Sequence, residues 1–149
     1  MTTTVGLTES PGEDFQDFLR RREQASIHYI RGNSAPLAEM LTEQDPATFM
    51  PPSGAVIEGA GPVRDAHVQG AAAFGPGSSG SFEVLSSGSS GALGYWTGRQ
   101  IATMDLEGQD EAVPMVLRTT EVFRLEGGAW RLVHRHADVV PRAADGSRP

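Results

Sequence analysis

The chain of 149 residues contains no cysteine and, although it carries 12 basic residues, no lysine. Without a thiol there is no disulfide, no thiolate metal site and no cysteine nucleophile. Without lysine there is no Schiff-base chemistry, no lysine-held pyridoxal cofactor and no Walker-type phosphate loop. Hydrophobic residues are also sparse, at 38%, and no stretch approaches the roughly 18 consecutive apolar residues of a membrane span. The opening MTTTVGLTESPGED has neither the basic region nor the apolar run of a signal peptide, so the expected location is cytoplasmic. Nineteen acids against 12 arginines leave a net charge of −7. That balance disfavours nucleic acid as a partner, because such binding rests largely on neutralising phosphates.

What is present is enough for one domain with its own core. Residues 1–12 read as a flexible arm, 13–140 as a single domain and 141–149 as a flexible tail. From Glu13 the pattern is helical: Phe15, Phe18, Leu19, Arg22, Ser26, Tyr29 and Ile30 recur at spacings of three and four. Gly32-Asn33 stops this helix, and Ser34 is placed to cap a second one with Pro36 in its first turn. Its stripe is Leu37, Met40 and Leu41, and Asp45-Pro46 ends it. Short extended pieces follow at residues 47–50 and 56–58, then a third helix from Val63 to about Phe74, led by Pro62. Beyond the connector GPGSSG the period changes to two, predicting strands over 81–86, 91–104, 112–126 and 129–140. Helices followed by an antiparallel meander define an α+β domain.

The last hairpin can be registered from its turn. With Gly127-Gly128 as a two-residue turn and no interruption, Phe123 faces Leu132, Glu121 faces His134, and Thr119 faces His136. One surface then runs from apolar side chains near the turn to Glu121, His134, His136 and Asp138, as the lining of a ligand cavity would. The opposite surface carries Arg118, Arg124, Arg131 and Arg135 and is expected to be the wet one. A slip of one residue reverses every assignment.

Two stretches carry a family resemblance. The segment Leu41-Thr42-Glu43-Gln44-Asp45-Pro46-Ala47-Thr48-Phe49-Met50-Pro51-Pro52, with Val56-Ile57-Glu58-Gly59, resembles the second-helix-to-first-strand region of SnoaL-like proteins, in the nuclear-transport-factor-2-like superfamily. The ending Thr120-Glu121-Val122-Phe123-Arg124, then Gly127-Gly128-Ala129-Trp130-Arg131-Leu132-Val133-His134-Arg135-His136, is similar to the closing hairpin of that group. It is also similar to that of the calcium/calmodulin-dependent kinase association domain. The resemblance implies a cone-shaped, curved antiparallel sheet wrapped over three N-terminal helices, with an internal pocket and usually a homodimer. The superfamily holds isomerases, cyclases, dehydratases and non-catalytic members, so the fold does not choose a reaction. The base aspartate of the ketosteroid-isomerase pattern would fall on or next to Pro51 and its oxyanion tyrosine near Ala25, and neither residue is present, which argues against that mechanism.

The sequence-based expectation is therefore a protein that binds a small hydrophobic cyclic molecule. It either isomerises, cyclises or dehydrates that molecule by proton transfer, or serves as a non-catalytic binding or oligomerisation module. Glu121 and His136 are the expected proton-handling groups, with His134 orienting or polarising. The two histidines could instead simply fix the sheet through hydrogen bonds, and a metal held by both would need a third ligand from Glu121 or Asp138. No metal and no cofactor are assigned. The expected ligand wall is Phe49, Met50, Tyr29, Trp96, Arg99, Thr119, Phe123 and Trp130. Tyr95 and Trp96 point to opposite faces, and parity alone leaves open which faces inward. Arg99 is either a carboxylate clamp or a surface charge. His67, alone on the third helix, reads as a partly satisfied core residue.

Overall fold

The computed structural model describes residues 13–141. The expected arm at 1–12 lies outside the described residues, as does the expected tail beyond Pro141. Three helices come first: α1 (Phe15–Ile30), α2 (Ala35–Met40) and α3 (Ala60–Gly70), the last extended by a 3-10 turn over Ala71–Ala73. Six strands make one sheet: β1 (Thr48–Met50), β2 (Ile57–Glu58), β3 (Ser79–Ser90), β4 (Leu93–Met104), β5 (Val113–Glu126) and β6 (Ala129–Val139). Their spatial order is β2-β1-β6-β5-β4-β3. All pairings are antiparallel except β1 with β6, which is parallel, so the sheet is mixed where an antiparallel one was expected.

Local chemistry sets the element ends. Asp14 caps α1, its carboxylate accepting from the backbone N–H groups of Gln16 and Asp17. Ser34 makes no such cap for α2; the Asn33 side chain accepts from Ala35 N instead. Helix α3 starts at Ala60, three residues before Val63, and Asp45 receives its first N–H. Strand β3 runs on to Ser90, four residues past its expected end. A bulge between Val84 and Ser86 lets the serine-rich stretch keep pairing with β4. Gly127 and Gly128 hold φ of 59° and 87°, the left-handed pair a tight hairpin turn demands.

The space between α1 and the β5–β6 hairpin is filled by aromatic rings. Phe15 and Phe18 of α1 pack edge-on against Trp130 and Phe123, each pair with centroids 5.0 Å apart. The Trp130 indole donates to the carbonyl of Glu13, tying the start of α1 to β6. Burying such a cluster outweighs the low overall hydrophobic content, since each large side chain removed from water contributes roughly 1.5–3 kcal/mol.

Candidate functional site

The register of the last hairpin decides what faces the helices. From the turn to Phe123↔Leu132 the pairing is as the turn chemistry dictates. There Val133 is left over as a bulge, and the pairing resumes as Val122↔His134, Glu121↔Arg135 and Thr119↔Ala137. One extra residue turns the rest of β6 over. The expected pairing of Glu121 with His134, and of Thr119 with His136, is thereby corrected. Arg135 and Ala137 face the helices, while His134 and His136 lie on the outer face of the sheet.

Glu121 is fully buried and sits at the centre of a charged cluster. Arg22, from the apolar stripe of α1, meets it with both forks, Nε to Oε1 at 2.9 Å and Nη2 to Oε2 at 2.7 Å. Arg135 donates from Nη1 to Oε2 at 2.5 Å, and the Trp96 indole donates to Oε1 at 2.8 Å. Burial pushes the Glu121 carboxyl up, but the two guanidinium charges and these hydrogen bonds more than offset it, holding it down at about 2. With four donors on its two oxygens, this carboxylate is a fixed anion and a poor proton acceptor.

Beside the cluster lies a cavity of about 310 Å³ between α1, α3 and the inner face of the sheet. Most of its wall is apolar, including Ile30, Leu37, Phe49, Phe74, Met104 and Leu117. Its polar wall is Arg22, Arg135, Ser26, Tyr29, Gln100 and His67, and no carboxylate lines it. Ser26 and Gln100 are bonded to one another, and Gln100 accepts weakly from Thr119. Tyr29 donates to the backbone carbonyl of His67 at 2.8 Å. That approach depends on Gly70, because a Cβ there would stand 2.6 Å from the tyrosine oxygen.

His67 is 3% exposed and stacks on Phe49, with ring centroids 4.1 Å apart and planes 20° from parallel. Its Nδ1 lies 2.9 Å from the carbonyl of Val63, which can only accept, so Nδ1 carries the proton. Nε2 is left with a lone pair and no partner. Burial lowers the His67 pKa to about 4, with its backbone hydrogen bond working against the fall, so the ring is neutral near pH 7.

The residues expected to form the site are distributed as follows. Phe49 and Tyr29 line the cavity. Glu121 stands behind it, held by two cavity-lining arginines. Trp96 is the inward member of its pair, completely buried and stacked on Phe82, while Tyr95 points outward. Thr119, Phe123 and Trp130 are buried on the inner face but belong to the packed core, not the cavity wall. Met50 lies in register with His136 on β1, away from the cavity. Arg99 is on the exposed side of β4, ion-paired with Glu83. His134 shares a 2.7 Å hydrogen bond with Thr48, and burial followed by the nearby His136 lowers its pKa. The Glu121–His134–His136 constellation is therefore split across two faces of the sheet. Among the described residues no cluster of three His, Asp or Glu is placed to hold a metal ion.

Five polar residues of the cavity wall are not among those the sequence points to: Arg22, Ser26, His67, Gln100 and Arg135. Arg22 did carry a signal, a charge in the middle of an apolar helical stripe, which requires a buried counter-charge. Arg135 carried none, because its facing depends on a bulge that no residue type announces.

A six-stranded mixed sheet, not closed into a barrel, against three N-terminal helices is the nuclear-transport-factor-2-like (NTF2-like) α+β cone fold. Among solved structures, a presumed dehydratase from the NTF2-like family, from Streptomyces avermitilis, matches with a TM-score of 0.68 at 20% identity, over 85% of this chain and 95% of that one. The CaMKII hub homology domain of Chlamydamonas reinhardtii gives 0.65 at 18% identity, over 85% and 98%. A ketosteroid isomerase-like protein from Erwinia carotovora atroseptica gives 0.62 at 11%, over 76% and 86%. No family model and no curated protein matches the sequence. The likeness is one of fold, and the fold hosts both enzymes and hub domains. No described helix is long and apolar enough to cross a membrane.

Proposed function

We propose that this protein binds a small, largely apolar cyclic molecule in the cavity between α1, α3 and the sheet. The observation that carries the reading is the cavity itself: about 310 Å³, mostly apolar, with six polar side chains in its wall. It is at the lower end of the size range of small-molecule sites, which suits a ligand of one or two fused rings. One observation favours chemistry as well as binding. His67 is among the residues lining the cavity, its ring is neutral, and its buried Nε2 has no hydrogen-bond partner; a positioned imidazole is the commonest general base. Glu121 does not serve that role in this reading, being saturated with donors.

The test is a thermal-shift screen of mono- and bicyclic compounds on the wild type and on Leu117→Trp, which fills the cavity from β5. Compounds that stabilise the wild type should fail on the variant; equal shifts on both would place binding elsewhere. Each hit is then incubated with protein and followed by NMR. Conversion that His67→Phe abolishes, with binding kept, makes the protein an enzyme; no conversion makes it a binding module.

Self-association is a companion proposal. Leu93, Tyr95 and Ile101 are exposed together along the outer side of β4, the kind of patch a second copy would cover. Sedimentation equilibrium should return twice the chain mass for the wild type, and a monomer at tens of micromolar would remove this part.

A further inference from the structure

We infer that the cavity takes an organic monoanion, a carboxylate on an apolar ring framework, with its charged end at Arg135. This deepens the binding reading above and rests on it. The first observation is a charge balance. Two guanidinium groups share one carboxylate, so the buried cluster keeps a net single positive charge. No acidic side chain lines the cavity to cancel it. A buried uncompensated charge is costly, and a chain whose net charge is −7 has not acquired an internal cation as a by-product of a basic surface.

The second observation is the state of the donors. Arg135 commits only Nη1 to a protein acceptor, leaving Nε and Nη2 without one among the described residues. Arg135 lines the cavity, so these donors are the charged groups a ligand there would meet. Nη1 of Arg22 is likewise buried without a hydrogen-bond acceptor, its guanidinium lying 5.5 Å from the centre of the Phe82 ring. The positive side of the cluster is under-satisfied, while its negative side is saturated. A carboxylate offers the paired acceptors that a guanidinium edge accepts best, and a planar apolar body suits the rest of the wall.

The bulge at Val133 places this group. Without it Arg135 would face solvent, and the cavity would lose its cation. Bulges recur next to functional sites because they re-aim one side chain without rebuilding the strand.

The experiment compares 2-naphthoate with its neutral isostere 2-naphthamide by calorimetry on the whole protein. The wild type should bind the acid at least about tenfold more tightly than the amide, the gain of a charge-assisted contact over a neutral one. Arg135→Met should erase that preference, bringing acid and amide to within about twofold of one another, because Arg22 and Trp96 still hold Glu121 and the charged contact alone is lost. If Arg135→Met does not fold, Arg135→Gln, which keeps an N–H for Glu121, takes its place. Equal affinity of acid and amide for the wild type would overturn the inference, as would a preference that survives both variants, with the binding reading left standing. Binding of neither compound, nor of 2-methylnaphthalene, would overturn both.

Discussion

Two buried titratable side chains, Glu121 and His67, are each held in one ionisation state by their surroundings, and the causes are opposite. For Glu121 the arginines stabilise the anion despite burial; for His67 burial removes the cation. Both shifts weaken the folded state in acid. The unfolded chain protonates a histidine near 6.5 and a glutamate near 4.5, whereas the folded protein delays these events to about 4 and about 2. Between each pair of values the unfolded chain binds a proton that the folded chain refuses, so stability falls as pH is lowered through that window. Urea unfolding between pH 7 and 2.5 should therefore show two successive losses. The upper one, from about pH 6.5 to 4, is worth up to roughly 3 kcal/mol by linkage from the His67 shift. His67→Phe, which keeps the stacking on Phe49 and cannot titrate, should remove the His67 share of the upper loss, leaving what the lowered His134 contributes, and spare the lower. An unchanged upper loss would mean that His67 is not the group responsible.

At the scale of elements, α1 and α3 are joined by a contact that depends on a missing side chain. The Tyr29 hydroxyl reaches the carbonyl of His67 only because residue 70 has no Cβ. An alanine at the end of a helix normally gains up to about 1 kcal/mol over glycine. Here Gly70→Ala should instead destabilise, by roughly 1–2 kcal/mol, since it displaces a buried hydroxyl and its hydrogen bond. In a Tyr29→Phe background the same change should be neutral or stabilising. A double-mutant cycle by thermal unfolding measures the coupling, and additivity of the two changes would show that the helices do not meet as described. Helix α1 was legible in the sequence because its buried stripe has one period and a glycine stop. The caps were less so. At the start of α2, Asn33 and Ser34 are both competent capping residues, and residue type alone does not select between them.

For the whole molecule, the helices and the meander could be read from periodicity and turn residues, because those follow from local chemistry, whereas the cone was implied by the family resemblance. Inside and outside could not be assigned along the far half of β6. The alternation of strand side chains is a parity, and one unpaired residue inverts it. Up to Leu132 the parity is fixed by Gly127-Gly128, and Trp130 and Leu132 are buried as that turn requires. Past Val133 both parities offer a plausible inner row: Glu121 with two histidines, or Glu121 with an arginine and an alanine. The second lets a buried carboxylate meet a permanent cation and leaves both imidazoles on the wetter face. Charge compensation favours it, but only across the sheet and to Arg22 on α1, contacts that no local pattern encodes.

The absence of native cysteine makes this inversion directly measurable by thiol labelling. His136→Cys and Ala137→Cys place adjacent single thiols on β6, one at an exposed position and one that is 1% exposed. With a bulky maleimide on the folded protein, the thiol at 136 should react at close to the rate of the unfolded chain. The thiol at 137 should react orders of magnitude more slowly, through opening of the sheet. Protection at 136 with rapid reaction at 137 would contradict the bulge, return the histidines to the interior and take Arg135 out of the cavity.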